Sequence, residues 1–118
     1  MQRIDAHQHF WQFDPVRDSW INEEMPVIQK DFLPQDLQPI LHQNNLDGCV
    51  VVQSDQSDKE NEFQLNNAFS FDFIKGVVGW VDLQSDDVEI KLEYYRSYKE
   101  MKGFRHVLQG EPDRALML

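Results

Sequence analysis

Gly48-Cys49-Val50-Val51-Val52 and Gly76-Val77-Val78-Gly79-Trp80 are apolar at consecutive positions, not at alternate ones. A strand with one face in water alternates, whereas a strand covered on both faces has no need to, so both runs read as strands of a parallel sheet. Working outward, the second run extends from Gly48 to Gln53 and the third from Ile74 to Val81. Two further β-prone runs flank them, Arg3 to Phe10 and Lys102 to Leu108. Helical patterns fall between. Ser57-Asp58-Lys59-Glu60 has the form of a capping box, and Phe63, Leu65, Ala68 and Phe69 follow it at roughly helical spacing. Asp86-Asp87-Val88-Glu89 places acids where the helix dipole favours them. Val88, Leu92, Tyr95 and Tyr98 then form an apolar stripe, with Gly103 as a stop signal. Strand and helix alternating at ~30 residues per unit is the pattern of right-handed βαβ crossovers. The expected fold class is α/β with four parallel strands.

The first connection is longer than the others. It opens with an aromatic, proline-punctuated loop holding Phe10, Trp11, Phe13, Pro15, Trp20 and Pro26, and a helix is expected from near Pro34 to Asn45. Pro34 suits a first helical turn. Pro39 costs a hydrogen bond unless the helix begins later. No repeat, low-complexity tract or Gly/Ser linker divides the chain, so residues 1–118 are expected to form one unit.

Composition narrows the function. The 118 residues carry a net charge of −10, from 21 acidic and 11 basic side chains, which would repel a phosphate backbone and argues against nucleic-acid binding. Cys49 is the one cysteine, so no internal disulfide can form, and it reads as a small buried hydrophobe. No apolar run approaches the ~20 residues of a membrane span, and Met1 to Asp5 lacks the apolar stretch of a signal peptide. The expectation is a soluble cytoplasmic protein with no membrane partner.

Ile4-Asp5-Ala6-His7-Gln8-His9 carries the most chemistry. Strand alternation puts Asp5, His7 and His9 on one face and Ile4, Ala6 and Gln8 on the other. Two imidazoles at i and i+2, at the carboxyl end of a first parallel strand, can ligate one divalent metal together, and neutral imidazole suits zinc. A pair of histidines hydrogen-bonded to their neighbours is the plainer alternative. Carboxyl ends of strands are where parallel α/β proteins build their sites.

The run Ile-Asp-Ala-His-Gln-His-Phe-Trp at 4–11 resembles the opening strand of the amidohydrolase-related, metal-dependent hydrolases. Within them it is most similar to the branch that contains the L-fuconolactonases and the 2-pyrone-4,6-dicarboxylate lactonases. Later segments agree in order and spacing: Asp36-Leu37 with Pro39-Ile40-Leu41, Val51-Val52-Gln53, Gly76 through Leu83, Gly103-Phe104-Arg105-His106, and Gln109-Gly110-Glu111-Pro112-Asp113. The family fold is a (β/α)8 barrel of ~250 residues or more, so the resemblance implies that residues 1–118 are the amino-terminal (βα)4 half of a TIM-type barrel.

The resemblance also implies roles. His7 and His9 correspond to the family's first-strand histidines, catalytic residues that in many relatives bind a metal and in the pyrone lactonase type contact substrate without one. One divalent metal, zinc before others, or no metal at all, is the cofactor expectation. Gln53, at the end of the second strand, would offer its amide to a substrate hydroxyl or carbonyl; a loop amide bonded to backbone is the alternative. Trp80 would wall a sugar or pyrone ring, with buried packing as the alternative, and Asp82 reads as a loop cap. Arg105 offers a planar fork for a carboxylate or developing oxyanion. His106, its neighbour, points to the opposite face of a regular strand and joins Arg105 only if the strand ends or bulges there. His42, on the first helix, reads as solvated.

The implied reaction is hydrolysis of a sugar or dicarboxylate lactone, with a small lactone or carboxylate as the partner molecule. In the family, further histidines come from strands five and six and an aspartate follows strand eight. The isolated chain is therefore expected to be inactive or nearly so. Two alternatives stand beside this: a non-catalytic ligand-binding or self-associating half-barrel module, and an amide hydrolase or nonoxidative decarboxylase of the same fold. Open edges on strands one and four would favour a homodimer.

Overall fold

The computed structural model describes residues 1–108. The segment Gln109 to Asp113, part of the resemblance, lies outside them. Four strands, β1 (Ile4–Gln8), β2 (Gly48–Val52), β3 (Ile74–Gly79) and β4 (Met101–Phe104), form one sheet in the order β1-β2-β3-β4. All three pairings are parallel. Helices α1 (Pro34–Gln43), α2 (Asp58–Ser70) and α3 (Val88–Arg96) supply the crossovers, and a short 3-10 turn at Pro26–Ile28 lies in the first connection. The α/β class with four parallel strands is what the structure contains.

Leu41 of α1, Leu65 and Ala68 of α2, and Tyr95 of α3 share one core with Cys49, Val51 and Val77 of the inner strands. The helices therefore cover a single face, as crossovers that all step the same way along a sheet require. The register of β1 shifts between Asp5 and Gln8, where Ala6 and His7 are both exposed, while Val50 and Val78 are half-buried. The aromatic loop is tied across by Trp11 and Phe32, which exchange two backbone hydrogen bonds of 2.8 Å and bring their rings to 4.7 Å.

The local structure departs from expectation in instructive ways. α1 begins at Pro34 in spite of Pro39, so the carbonyl of Gln35 loses its helical donor. Its end is well made: Asn45, at φ 58°, turns left-handed, the Asn45 N–H donates to His42 O at 3.1 Å, and the Leu46 N–H donates to Leu41 O at 2.9 Å. At α2, Ser57 Oγ accepts from the Glu60 N–H at 3.2 Å, but Glu60 does not return the bond. Its carboxylate accepts instead from the Ser54 N–H at 2.5 Å and the Asp55 N–H at 3.2 Å, so only half of the capping box forms. Phe69 is exposed, and the buried stripe of α2 is Asn61, Gln64, Leu65 and Ala68. Gly103 lies inside β4, paired with Val78, and is not a helix stop.

The strands are shorter than expected. β1 ends at Gln8, β3 at Gly79 and β4 at Phe104, which leaves His9, Trp80, Arg105 and His106 just beyond the carboxyl ends.

Candidate functional site

His7 lies in β1 and His9 directly after it, and their Nε2 atoms are 3.1 Å apart with the rings nearly perpendicular. His9 Nδ1 is 2.9 Å from the carbonyl oxygen of Val52, the last residue of β2. A carbonyl only accepts, so Nδ1 carries the proton and Nε2 presents its lone pair to His7. Burial pushes the His9 pKa below its usual value, and the charges of Arg105 and His7 act the same way; the Val52 bond and Glu60 oppose them. The net effect favours the neutral ring, the form that binds metals.

The other strand ends converge on this pair to different degrees. After β4 the strand has ended, so Arg105 and His106 are not bound to opposite faces. The Arg105 N–H donates to Gly79 O, and Arg105 Nη2 crosses to donate to Gln53 O, each at 2.9 Å. Trp80 Nε1 donates to His106 Nδ1 at 3.0 Å, which places the proton of a neutral His106 on Nε2. Trp80 and His106 line one cavity with Gln56, Asp82 and Leu83. His9 and Arg105 line another, of about 250 Å³, together with Trp11, Asp18, Trp20, Ile21 and Ser54. The six candidates therefore fall into two groups, His7–His9–Arg105 and Trp80–His106, and the Gln53 side chain lines neither cavity.

Gln53 is fully buried, and neither end of its amide has a hydrogen-bond partner among the described residues. It is not among the residues lining the cavity between His9 and Arg105. Its backbone carbonyl, not its amide, is what meets Arg105. Arg105 Nε and Trp11 Nε1 are also buried without partners among the described residues. Asp82 caps its own loop, accepting from the Gln84 N–H at 3.0 Å, and His42 is exposed.

Two sets of residues escaped the sequence. The loop residues Asp18, Trp20, Ile21 and Ser54 gave no spacing signal, because a loop has none. Burial alone would raise the Asp18 carboxyl, yet the Arg17 guanidinium at 2.7 Å and the Asp14 N–H bring it below the usual range. The second set, Glu60, Asn61 and Gln64, did leave a trace. Asn61 and Gln64 continue the stripe of Leu65 and Ala68 at i+3 and i+4 spacing, and polar residues on a core-facing stripe need partners inside.

Two adjacent imidazoles at the end of β1, on a parallel sheet with helices over one face, are the arrangement of a barrel-type βα protein, with the candidate site over the carboxyl ends of the strands. Two curated L-fucono-1,5-lactonases, from Burkholderia ambifaria and Burkholderia multivorans, are each 38% identical to the chain over 111 residues, 94% of it. A crystal structure of a zinc-bound amidohydrolase from Burkholderia multivorans matches with a TM-score of 0.92 at 37% identity, covering 98% of this chain and 41% of that one. A HEPES-bound crystal of the amidohydrolase from the same species gives a TM-score of 0.91, also at 37% identity, covering 98% of this chain and 40% of that one. No protein-family model matches. The chain belongs to the amidohydrolase family, and it spans about two fifths of the length of the relatives it matches.

Proposed function

We propose that this chain supplies the first-strand histidines and the β4 arginine of a lactone-opening hydrolase. The observation that carries the reading is the His7–His9 pair: two Nε2 atoms 3.1 Å apart, with His9 fixed in the metal-binding tautomer by Val52. Two ligands of a tetrahedral zinc, each ~2.0–2.1 Å from it, stand ~3.3 Å apart, so the pair fits as two of the donors. Among the described residues no group of three or more His, Cys, Asp or Glu side chains could hold a metal ion. When bound, zinc would supply an acidified water and polarise a carbonyl. His7 and His9 would hold it, Arg105 would stabilise negative charge developing on the lactone oxygen, and Trp80 with His106 would wall the far side of the ring. The L-fucono-1,5-lactonase relatives point to an aldonolactone as the substrate class.

With these two donors among the described residues, the 118-residue chain by itself binds zinc weakly and turns over little or no lactone. Zinc titration by calorimetry tests the site: His7→Ala should weaken binding by at least about tenfold while changing stability by less than about 0.5 kcal/mol, because His7 is exposed. Zinc binding indifferent to His7→Ala would sink the metal site. Substantial L-fucono-1,5-lactone hydrolysis by the purified chain would overturn its inactivity. The sheet also favours self-association, since among the described residues β1 and β4 each pair on one side only. A monomeric mass by light scattering at ~50 μM, a concentration at which a specific interface forms, would remove that part of the reading.

A further inference from the structure

The helix-facing side of a βα unit is normally apolar, yet the first two turns of α2 bury Glu60, Asn61 and Gln64, at 6%, 0% and 0% exposure. Each side chain reaches a different strand end. Asn61 brackets the backbone of one residue on the β3 rim, its Oδ1 accepting from the Trp80 N–H at 2.8 Å and its Nδ2 donating to Trp80 O at 2.6 Å. Gln64 Nε2 donates to Phe10 O at 2.8 Å, on the residue that follows His9, and to Glu60 at 3.3 Å. The Glu60 carboxylate gathers the Ser54 N–H, the Ser54 hydroxyl and the Asp55 N–H, the residues that follow Gln53. Gly79 completes the arrangement: a Cβ there would sit 2.3 Å from Asn61 Oδ1, so only glycine lets Asn61 reach the next peptide.

Burying three such groups is costly unless every bond is made, and leucines at these positions would cover the strands at lower cost. What leucines cannot do is fix the rim segments after β1, β2 and β3 relative to one another. We propose that Glu60, Asn61 and Gln64 are positioning residues. From one rigid helix they set the mutual placement of His9, the Gln53–Ser54 peptide and Trp80, and hence the geometry of the site. The link to zinc rests on the function proposed above; the clamping of the three segments does not.

The test uses the 118-residue chain with Gln64→Met and Asn61→Leu, followed by amide hydrogen exchange and by titration with zinc chloride. In Asn61→Leu the Trp80 amide should exchange at least about tenfold faster, while the Val77 amide, bonded to Glu100 O in the sheet, keeps its protection. In Gln64→Met zinc affinity should fall by about tenfold, because the Phe10 carbonyl beside His9 loses the bond that anchors it, again with Val77 unchanged. If Asn61→Leu does not fold, Asn61→Asp, which keeps the acceptor for the Trp80 N–H but sets a carboxylate oxygen against Trp80 O in place of the donor, should shift the Trp80 resonances while leaving its amide protected. Unaltered Trp80 exchange in folded Asn61→Leu, or unaltered Trp80 resonances in Asn61→Asp, overturns the clamp. Unaltered zinc affinity in folded Gln64→Met overturns its reach to the ligands. Failure of the unsubstituted chain to bind zinc would refute the metal reading instead, and the Trp80 exchange would still decide the clamp.

Discussion

The inner strands and the outer strands of the sheet do different work. β2 and β3 are nearly sealed, with Cys49, Val51 and Val77 at 0% exposure, and their side chains supply the core. β1 and β4 are partly open, with Ala6, His7 and Lys102 exposed, and the polar candidates His7, His9, Arg105 and His106 belong to them or follow them. Stability is concentrated where both faces are covered, and chemistry where one side stays reachable. The two regions are not independent, because the end of β2 and the residue after it give the Val52 and Gln53 carbonyls that orient His9 and Arg105.

The comparison can be broken most directly at its strong side. Val77→Asp, an unpaired charge at a fully buried position, should cost more than about 4 kcal/mol and abolish cooperative thermal unfolding by circular dichroism. A folded variant with a near-native melting temperature would show that β3 is not sealed. Gly79→Ala tests the rim of the same strand. Pressing a methyl group onto Asn61 should cost about 2 kcal/mol in urea denaturation, and an unchanged midpoint would mean that the rim is loose.

Gln53 sharpens the division, because it directly follows an inner strand, is fully buried, and yet behaves unlike a core residue. Replacing its unpartnered amide by an apolar side chain, Gln53→Met, should raise stability by about 1 kcal/mol. A loss of that size would show that the amide is satisfied in solution and structural. The smallest effect lies in the aromatic loop. The Asp18 carboxyl is held below its ordinary 3.8 in the folded state, so its contribution is present above that value and fades as the pH falls through the lower folded one. Asp18→Asn should flatten the stability profile between about pH 5 and about pH 2. Equal slopes for both proteins would remove Asp18 from the acid response.

Much of the fold was legible because burial on both faces leaves a mark that survives in one dimension. Val50-Val51-Val52 and Gly76-Val77-Val78 had no hydrophilic alternate, and only a covered parallel strand explains that. The site was legible in part. His7 and His9 were visible by spacing, and the likeness of the segments around Gln53, Trp80 and Arg105 to one family marked the remaining strand ends. Strand termini were not visible to within two residues, and the relation of Arg105 to His106 turned on that difference. The partners of Glu60, Asn61 and Gln64 lie as much as 54 positions away in the chain, so no local pattern could name them.

The sequence by itself determined the class of fold and the pair of imidazoles, because hydrophobic continuity and i, i+2 alternation are properties of the chain's own period. Only the tertiary structure decided the tautomer of His9, the crossing of Arg105 to Gln53 and the polar clamp on α2. Each of those depends on a hydrogen bond between segments far apart in sequence, and such a bond exists only once the sheet has brought the strand ends together.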